Sequence, residues 1–444
     1  MNNINEGHPA DLMSIIKTKD LFDDDFECQY LDIEEMYELA TANKFSVLSQ
    51  NVRSLGGKFD DFREYVGRFK ENKITCILLQ EVWSIRREYK LPGYHSLEYN
   101  TRDKDKVLNS NCGGGVGIYI SDTLDYEVLE FKDEFVEGVY ESIWVKVHLG
   151  RGKSKILGSV YRPNTGKGDL GKAIAIHESI LQELKSNKKY KRSDLLVCSD
   201  FNADLLNYDR HQATAKYVDL QLDLGLLPLI TKPTRKYHNS ATLIDHIFAT
   251  KTNNQINVGV LEDSDLSDHF GTAYVENIEV IDNESCSIPV RKITNAATRK
   301  FIDNVNAVDW DEFEEEENDQ KYYNNILNKI GESVEIAFPI KMSKPNKSKI
   351  LPPWFSGGLA KSSKKKRKLY KKYRKAPSPQ NEKKYKEYRS VYQNIHRKAK
   401  SEYYKNKFEK YANDVKGTWR ILKAAIGHNK KGGTKFPEYF FEEP

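Results

Sequence analysis

From Phe45 to Glu276, short apolar runs alternate with polar loops. The runs FSVLSQNV, ITCILLQEVW, GGGVGIYI, SIWVKV, KILGSVY, DLLVCSDF, LIDHIFAT and GTAYVE are rich in β-branched and aliphatic residues and have the length of strands. Between the first two, FDDFREYVGRFKEN places Phe62, Tyr65, Val66 and Phe69 at helical spacing, and HESILQELK near 177–185 reads the same way. Strands mixed with a few amphipathic helices predict an α/β domain. Around 278–350 the pattern weakens into a linker with one predicted helix, YYNNILNKIGESVEIAF, ended by Pro339. Beyond Pro377 and Pro379, residues Tyr385, Tyr388, Tyr392, Ile395, Ala399 and Tyr403 follow at gaps of three and four, one face of an amphipathic helix. No repeat period emerges.

Composition narrows the class. At roughly 100–200 residues per domain, 444 residues leave room for two to three domains. The chain is 39% hydrophobic and 30% charged, with a mean hydropathy of −0.69. No apolar run approaches the ~18 residues of a spanning helix, so no membrane association is expected. The N-terminus lacks the basic start and apolar stretch of a secretory signal, which predicts a nuclear or cytoplasmic protein that is not secreted. Cys28, Cys76, Cys112, Cys198 and Cys286 contain no CxxC pair, so buried thiols are expected rather than a disulfide framework or zinc knuckle.

The net charge of +5 hides two opposite regions. Residues 361–410 hold 20 Lys/Arg against 4 Asp/Glu, whereas residues 1–43 hold 2 Lys against 11 Asp/Glu, and a second acidic run occupies 309–319. Acidic runs are usually solvated. In the basic block the interleaved tyrosines favour a nucleic-acid footprint. A helical hairpin whose aromatics form a core and whose lysines solvate it fits the same pattern, and does not exclude nucleic-acid contact.

Polar residues recur where the apolar runs end, which is where an α/β scaffold presents a site. Asn51 closes FSVLSQN, Glu81 follows ITCILLQ, and Tyr161 closes KILGSVY. Asp200 and Asn202 close LLVCSDFN, Asp245 interrupts TLIDHIF, and Ser267, Asp268 and His269 precede GTAYVE. Singly, each has a structural reading, since a strand-end Asp commonly forms a turn. Their order and spacing carry the functional one.

Together NVRSL, LLQEVW, GGGVGIYI, GSVYRPNTG, VCSDFNADL, PTR, LIDHIFA and LSDHFGT resemble the endonuclease/exonuclease/phosphatase superfamily over about residues 44–277. Within it, the set most resembles the endonuclease domain of LINE-type non-LTR retrotransposons. The resemblance implies a DNase I-like four-layer α/β sandwich, two mainly antiparallel sheets flanked by helices, followed by a basic helical C-terminal region. LPPWF at 351–355 through GTWRILKAAIG at 417–427 is similar to the connector that follows this domain in such polyproteins. A reverse transcriptase would normally come next; the chain has no Tyr-x-Asp-Asp signature, so polymerase activity is not expected from it. The expected organisation is an acidic segment at 1–43, the catalytic domain at 44–277, a linker at 278–350, a basic connector at 351–428 and a tail at 429–444.

Phosphodiester hydrolysis needs a hard cation, an activated water and neutralisation of phosphoryl charge. Mg²⁺ takes oxygen ligands and often only one or two carboxylates. That suits Glu81 as principal ligand, with Asn51 and Asp268 close by and Mn²⁺ as a substitute. By the family's pattern Asp200 deprotonates the attacking water, Asn202 orients the water or the phosphate, and His269 donates to the phosphoryl oxygen while Asp245 fixes its ring. The sequence leaves open which of Asp200 and His269 is the base. Tyr161, Asn164 and Thr234 are expected at the phosphate, and Ser267 at the His269 loop and the substrate.

Many relatives carry Asp or Asn two residues after the first Asn, where this chain has Arg53. The change removes one possible second-metal ligand, favours a one-metal mechanism and offers a guanidinium to a DNA phosphate. Two glycine signals are set aside. Gly113–Gly117 lacks a following GK[ST] and GRGKS at 150–154 lacks the first glycine of a phosphate loop, so a strand start and a hairpin turn are expected.

The expected activity is a Mg²⁺-dependent endonuclease nicking one DNA strand to leave a 3′-hydroxyl, which in the family primes reverse transcription. DNA is the expected partner, and element RNA a further one through 361–410. The alternatives are another phosphoesterase of the same fold, such as an apurinic-site enzyme, and a catalytically silent nucleic-acid-binding protein.

Overall fold

A computed structural model describes residues 27–40, 44–67, 74–102, 113–164, 170–280, 288–343 and 351–426, apart from 84, 86, 87, 238, 239, 251, 253, 292, 314–317 and 413. Most of the acidic segment at 1–43, part of the run at 309–319 and the tail at 429–444 lie outside the described residues.

Two mixed sheets form the centre. The strands of the first are β1 (Cys28–Leu31), β2 (Lys44–Asn51), β3 (Cys76–Gln80), β4 (Glu98–Asn100), β5 (Val116–Ile120), β15 (Ile256–Leu261) and β16 (Gly271–Glu279), in the order β1-β15-β16-β2-β3-β5-β4. The second holds β6 (Tyr126–Leu129), β8 (Tyr140–Gly150), β9 (Lys153–Tyr161), β10 (Asp194–Asp200), β11 (Leu226–Pro228) and β14 (Asp245–Thr250), in the order β11-β14-β10-β9-β8-β6. The short β7 (Phe135–Val136) pairs with β8, and β12 (Arg235–Tyr237) with β13 (Ser240–Thr242). Helices α1 (Ile33–Leu39) and α2 (Leu55–Val66) share a buried cluster with Leu48, Ile77 and Leu79 of the first sheet. On the second sheet, α3 (Leu170–Ser186) and α4 (Gln212–Asp223) pack through Ile180, Leu181, Tyr217 and Val218. This is the DNase I-like layering. No helix among the described residues is long and apolar enough to cross a membrane.

Strand alternation explains how the layers meet. Phe45, Val47 and Ser49 of β2 and Leu196 and Cys198 of β10 share the inter-sheet side, and Gln80 of β3 donates to Ser159 of β9 at 3.1 Å. The β8–β9 turn places Arg151 and Gly152 at φ 49° and 71°, the left-handed pair of a two-residue hairpin. Strand β5 begins just after the glycine run, and Gly114 at φ +91° could carry no side chain, since a Cβ would lie 2.5 Å from Glu141.

Two segments outside 44–277 join the same layers. The sheet begins at β1, before residue 44, because Cys28–Leu31 adds in parallel to Val258–Leu261 and its helix α1 caps itself through Asp32 and Glu35. The basic segment is helical, as its spacing predicts, and packs against the rest of the first unit. Helices α7 (Gly357–Lys375) and α8 (Pro379–Lys410) dock on the catalytic layers through pairs 100 or more residues apart. Ser363 and Tyr392 donate to buried Glu64 at 2.5 and 2.9 Å, Lys366 meets Asp265 at 2.9 Å, and Arg367 meets Asp263 at 3.3 Å. The acidic face of one part neutralises the basic face of the other.

Contacts divide the chain into two compact units, one up to Asp282 and again from Ser348, the other Asn283–Lys347. The second was expected as a linker with one helix. It holds α5 (Asn295–Asn306), α6 (Asp319–Ala337) and a ribbon of β17 (Ile288–Arg291) with β18 (Ile340–Ser343). Phe301 and Phe338 pack at 5.8 Å, and Arg291 pairs with Glu335.

Candidate active site

The same alternation that builds the core aims a row of polar groups at one end of it. Tyr161, Asp200 and Asp245 end or begin β9, β10 and β14 and lie side by side in register. Asp200 shares the face of Cys198, turned toward the first sheet; Asn51 shares the face of Val47, turned toward the second. They meet: Asn51 Nδ2 donates to Asp200 Oδ2 at 2.7 Å and to Glu81 Oε1 at 2.9 Å. Trp83 Nε1 donates to the other Glu81 oxygen at 3.2 Å.

His269 is buried beside this row. Its Nδ1 lies 3.0 Å from both Asp245 oxygens and 3.8 Å from Asp200 Oδ2. Burial alone would lower its pKa, but the Asp245 and Asp200 carboxylates outweigh that and raise it to about 9. The ring is therefore cationic at neutral pH. Burial, with Asp245 and Glu81 adding to it, pushes Asp200 well above the carboxylate range, while His269 and Asn51 act the other way. Asp200 Oδ1 is buried and has no hydrogen-bond partner. A native buried acceptor left without a partner points to a water or ligand.

Asp268 has other partners than those expected. Arg53 Nη1 lies 3.0 Å from one of its oxygens, and Arg235 Nε donates to the other at 3.0 Å. Against the cost of burial, His269 and Arg235 hold its pKa down to about 2. Both its oxygens thus face guanidinium groups rather than an open ligand position. Arg53 is exposed and carries this pair, with its backbone N–H on Asn51 Oδ1 at 3.0 Å. Thr234 is fully buried, and its Oγ1 accepts from the backbone of Ile244 and Asp245 at 3.3 and 3.1 Å, which fixes the start of β14. Ser267 donates to Asn51 O at 2.6 Å and accepts from His269 N at 3.1 Å, which locks the His269 loop to β2. Asn202 donates to Arg162 O at 2.8 Å. Asn164 is exposed in the loop after β9, and among the described residues no hydrogen bond joins it to the cluster.

Sequence reasoning passed over Arg162 and Gln50. Buried Arg162 donates to Phe201 O at 2.6 Å and Asn202 O at 2.9 Å, holding the loop that carries Asn202. Gln50 donates to Asn51 O at 2.8 Å and His269 O at 3.2 Å. The signal for Gln50 was a polar residue inside an apolar run; Arg162 sat in the same VYRPN stretch as two named residues. Glu81, Trp83 and Asn202 adopt left-handed backbone at φ 52°, 60° and 50°. Such strain in non-glycine residues gathers at functional sites.

Asp200, Asp245 and His269 each place one donor atom within 4.8 Å of the others, close enough to share an ion. A cationic imidazole offers no lone pair, so at neutral pH this set reads as a proton-handling group. Glu81 is the better metal candidate: a half-buried carboxylate whose hydrogen-bond partners Asn51, Trp83 and Tyr161 are neutral groups rather than a cation.

Among solved structures, the chain is similar to an endonuclease/exonuclease/phosphatase family protein from Bacteroides thetaiotaomicron, at 16% identity and a TM-score of 0.39, covering 52% of this chain and 94% of that one. Truncated Caenorhabditis elegans TDP2 is similar at 14% identity and 0.38, over 53% and 99%. The human Nocturnin catalytic domain with bound sulfate is similar at 14% and 0.39, over 53% and 94%. No curated protein matches this chain. Residues 48–269, half of the chain, match the Endonuclease/Exonuclease/phosphatase family, and the chain belongs to that family of hydrolytic, generally metal-dependent phosphoesterases.

Proposed function

We propose that the chain is a Mg²⁺-dependent DNA endonuclease of the retroelement type, which hydrolyses one strand to leave a 3′-hydroxyl and a 5′-phosphate. The observation that carries the chemistry is buried Asp200, with Oδ1 unpartnered and Oδ2 held by Asn51. Asp200 takes the proton of the attacking water, its raised pKa matching it to work near neutrality. His269 keeps its proton through Asp245 and donates to the phosphoryl oxygen. Tyr161, near Glu81 and Asp200 and kept protonated by burial, is a second donor to the phosphate. A Mg²⁺ or Mn²⁺ ion at Glu81 would supply charge neutralisation at the phosphoryl group and the departing oxygen. What favours DNA and the retroelement branch is the motif order of the sequence, NVRSL with Arg53 above all, together with the basic helices after the domain.

The test is nicking of supercoiled plasmid with Mg²⁺, with EDTA, and with Glu81→Ala. Expected is metal-dependent conversion to open circle that the substitution abolishes. No nicking above the folded variant would overturn the DNA reading and move attention to other phosphoesters.

A further inference from the structure

The basic charge of α7 is not all used for docking. Buried Lys366 and Arg367 meet Asp265 and Asp263 of the catalytic layers, and three cations at the edge of the docked face meet others: Lys364 with Glu34 at 2.8 Å, Lys371 with Asp32 at 3.5 Å and Lys375 with Glu262 at 3.5 Å. Lys361, Lys365, Lys368 and Lys372 follow at gaps of four, three and four, so they share one face. All four are exposed, and among the described residues none has an acidic partner within 4.0 Å. Lys365 rests 5.0 Å over the Tyr388 ring, which leaves its charge uncompensated.

The helix also ends at the catalytic loop. Arg374, in its last turn, lies 4.9 Å over the ring of Phe270, the residue after His269. Its Nε and Nη2 are buried without hydrogen-bond partners. The four-lysine face therefore starts two residues from the side chain that packs on the catalytic loop and runs back along the helix over about 16 Å. At about 3.4 Å per nucleotide of one strand, that spans about five phosphates.

We propose that this face of α7 is a DNA-binding surface, which takes the phosphates of the substrate duplex on one side of the nick. The proposal rests on the reading of the site as a DNA endonuclease, because the polymer held at Asp200 and His269 is the one that continues along the helix. The docked inner face makes α7 a rigid ruler: it holds the lysines at fixed distance from the catalytic loop. Arg374 joins the two regions by packing its guanidinium over Phe270, which ties the end of the helix to the catalytic loop. Contacts of this kind raise affinity without reading sequence.

Binding is measured in EDTA on the cleavage-dead Glu81→Ala background, with a fluorescent duplex, across a range of salt. The stripe variant carries Lys361→Gln, Lys365→Gln, Lys368→Gln and Lys372→Gln. A control carries Lys153→Gln, Lys188→Gln, Lys191→Gln and Arg192→Gln, four exposed cations outside the hairpin. The slope of log K against log salt should fall by about 2 to 4 in the stripe variant, near 0.9 per lost phosphate contact, and stay put in the control. With Glu81 restored, the same stripe should raise KM for nicking at least tenfold with kcat unchanged. An unchanged slope, an equal fall in the control, or a loss confined to RNA would each overturn the surface. Wild-type nicking with an unchanged stripe slope would sink this proposal alone, whereas absence of nicking would sink the site reading.

Discussion

The two ends of the sandwich are built from the same strands and put buried charge to opposite uses. Strand β9 turns Lys155 inward at its start and Tyr161 at its end; β10 runs from Asp194 to Asp200. At the starting end, Lys155 lies 2.8 Å from Glu276 and 3.1 Å from Asp194. Tyr274, Thr252 and Asn254 also donate to Glu276, at 2.9, 2.9 and 2.7 Å. Burial would raise the pKa of Glu276, but Lys155 and these donors hold it below its usual value. At the other end, Asp200 and Asp245 flank buried His269, Glu81 adds to the negative charge at Asp200, and one Asp200 oxygen has no partner. A fully paired buried charge is a structural fastening. One left part-paired beside strained backbone is poised for a ligand.

The sharpest way to break this comparison is to neutralise one charge at each end. Asp200→Asn keeps the shape but removes the proton acceptor, and nicking should fall by about 10³-fold or more. Its melting temperature should be no lower than wild type, since burial of the Asp200 carboxylate, with repulsion from Asp245 and Glu81, outweighs its attraction to His269 and its hydrogen bond from Asn51. A variant that keeps activity would remove Asp200 from the mechanism. Lys155→Met does the reverse. It strands Glu276 at 0% exposure and should cost about 3 kcal/mol in urea unfolding, with the rate per folded molecule unchanged. Adding Glu276→Gln should recover most of that loss; equal stabilities of single and double variants would show that the pair is not coupled.

The contrast also explains what the sequence revealed. Apolar runs announced the strands of both sheets, because alternation and β-branching are local. Polar residues at the ends of those runs announced Asn51, Glu81, Asp200, Asp245 and His269, and strand register brought them together. Other features depend on partners far along the chain. Asp268 pairs with Arg53 and Arg235, which lie 215 and 33 residues away, and nothing local in the sequence announces those partners. Thr234 likewise fixes the start of β14 through the backbone of Ile244 and Asp245. Cys28–Leu31 is too short to stand out in an acidic segment, and its sheet edge is set by β15. The basic helices carried a correct signal of charge and periodicity, but which lysines face acids depends on Glu34, Asp263 and Asp265, hundreds of residues earlier or about a hundred.

The two ends should also answer pH in opposite directions. The folded pKa of Glu276 is depressed, so its contribution is present above its ordinary value of 4.5 and is lost as pH falls through the folded value. The folded pKa of His269 is raised from 6.5 to about 9, so its contribution is complete below 6.5 and is lost as pH rises through about 9. Between pH 6.5 and about 8.5, that loss amounts to about 2 kcal/mol. Urea midpoints in EDTA, which keeps metal out of the site, should therefore decline on both limbs. Asp245→Asn removes the nearest carboxylate from His269 and should flatten the alkaline limb alone. Lys155→Met with Glu276→Gln should flatten the acid limb alone. If Asp245→Asn left the alkaline limb as steep as in wild type, His269 would not be the buried cation, and the donor assigned to the phosphoryl oxygen would have to lie elsewhere.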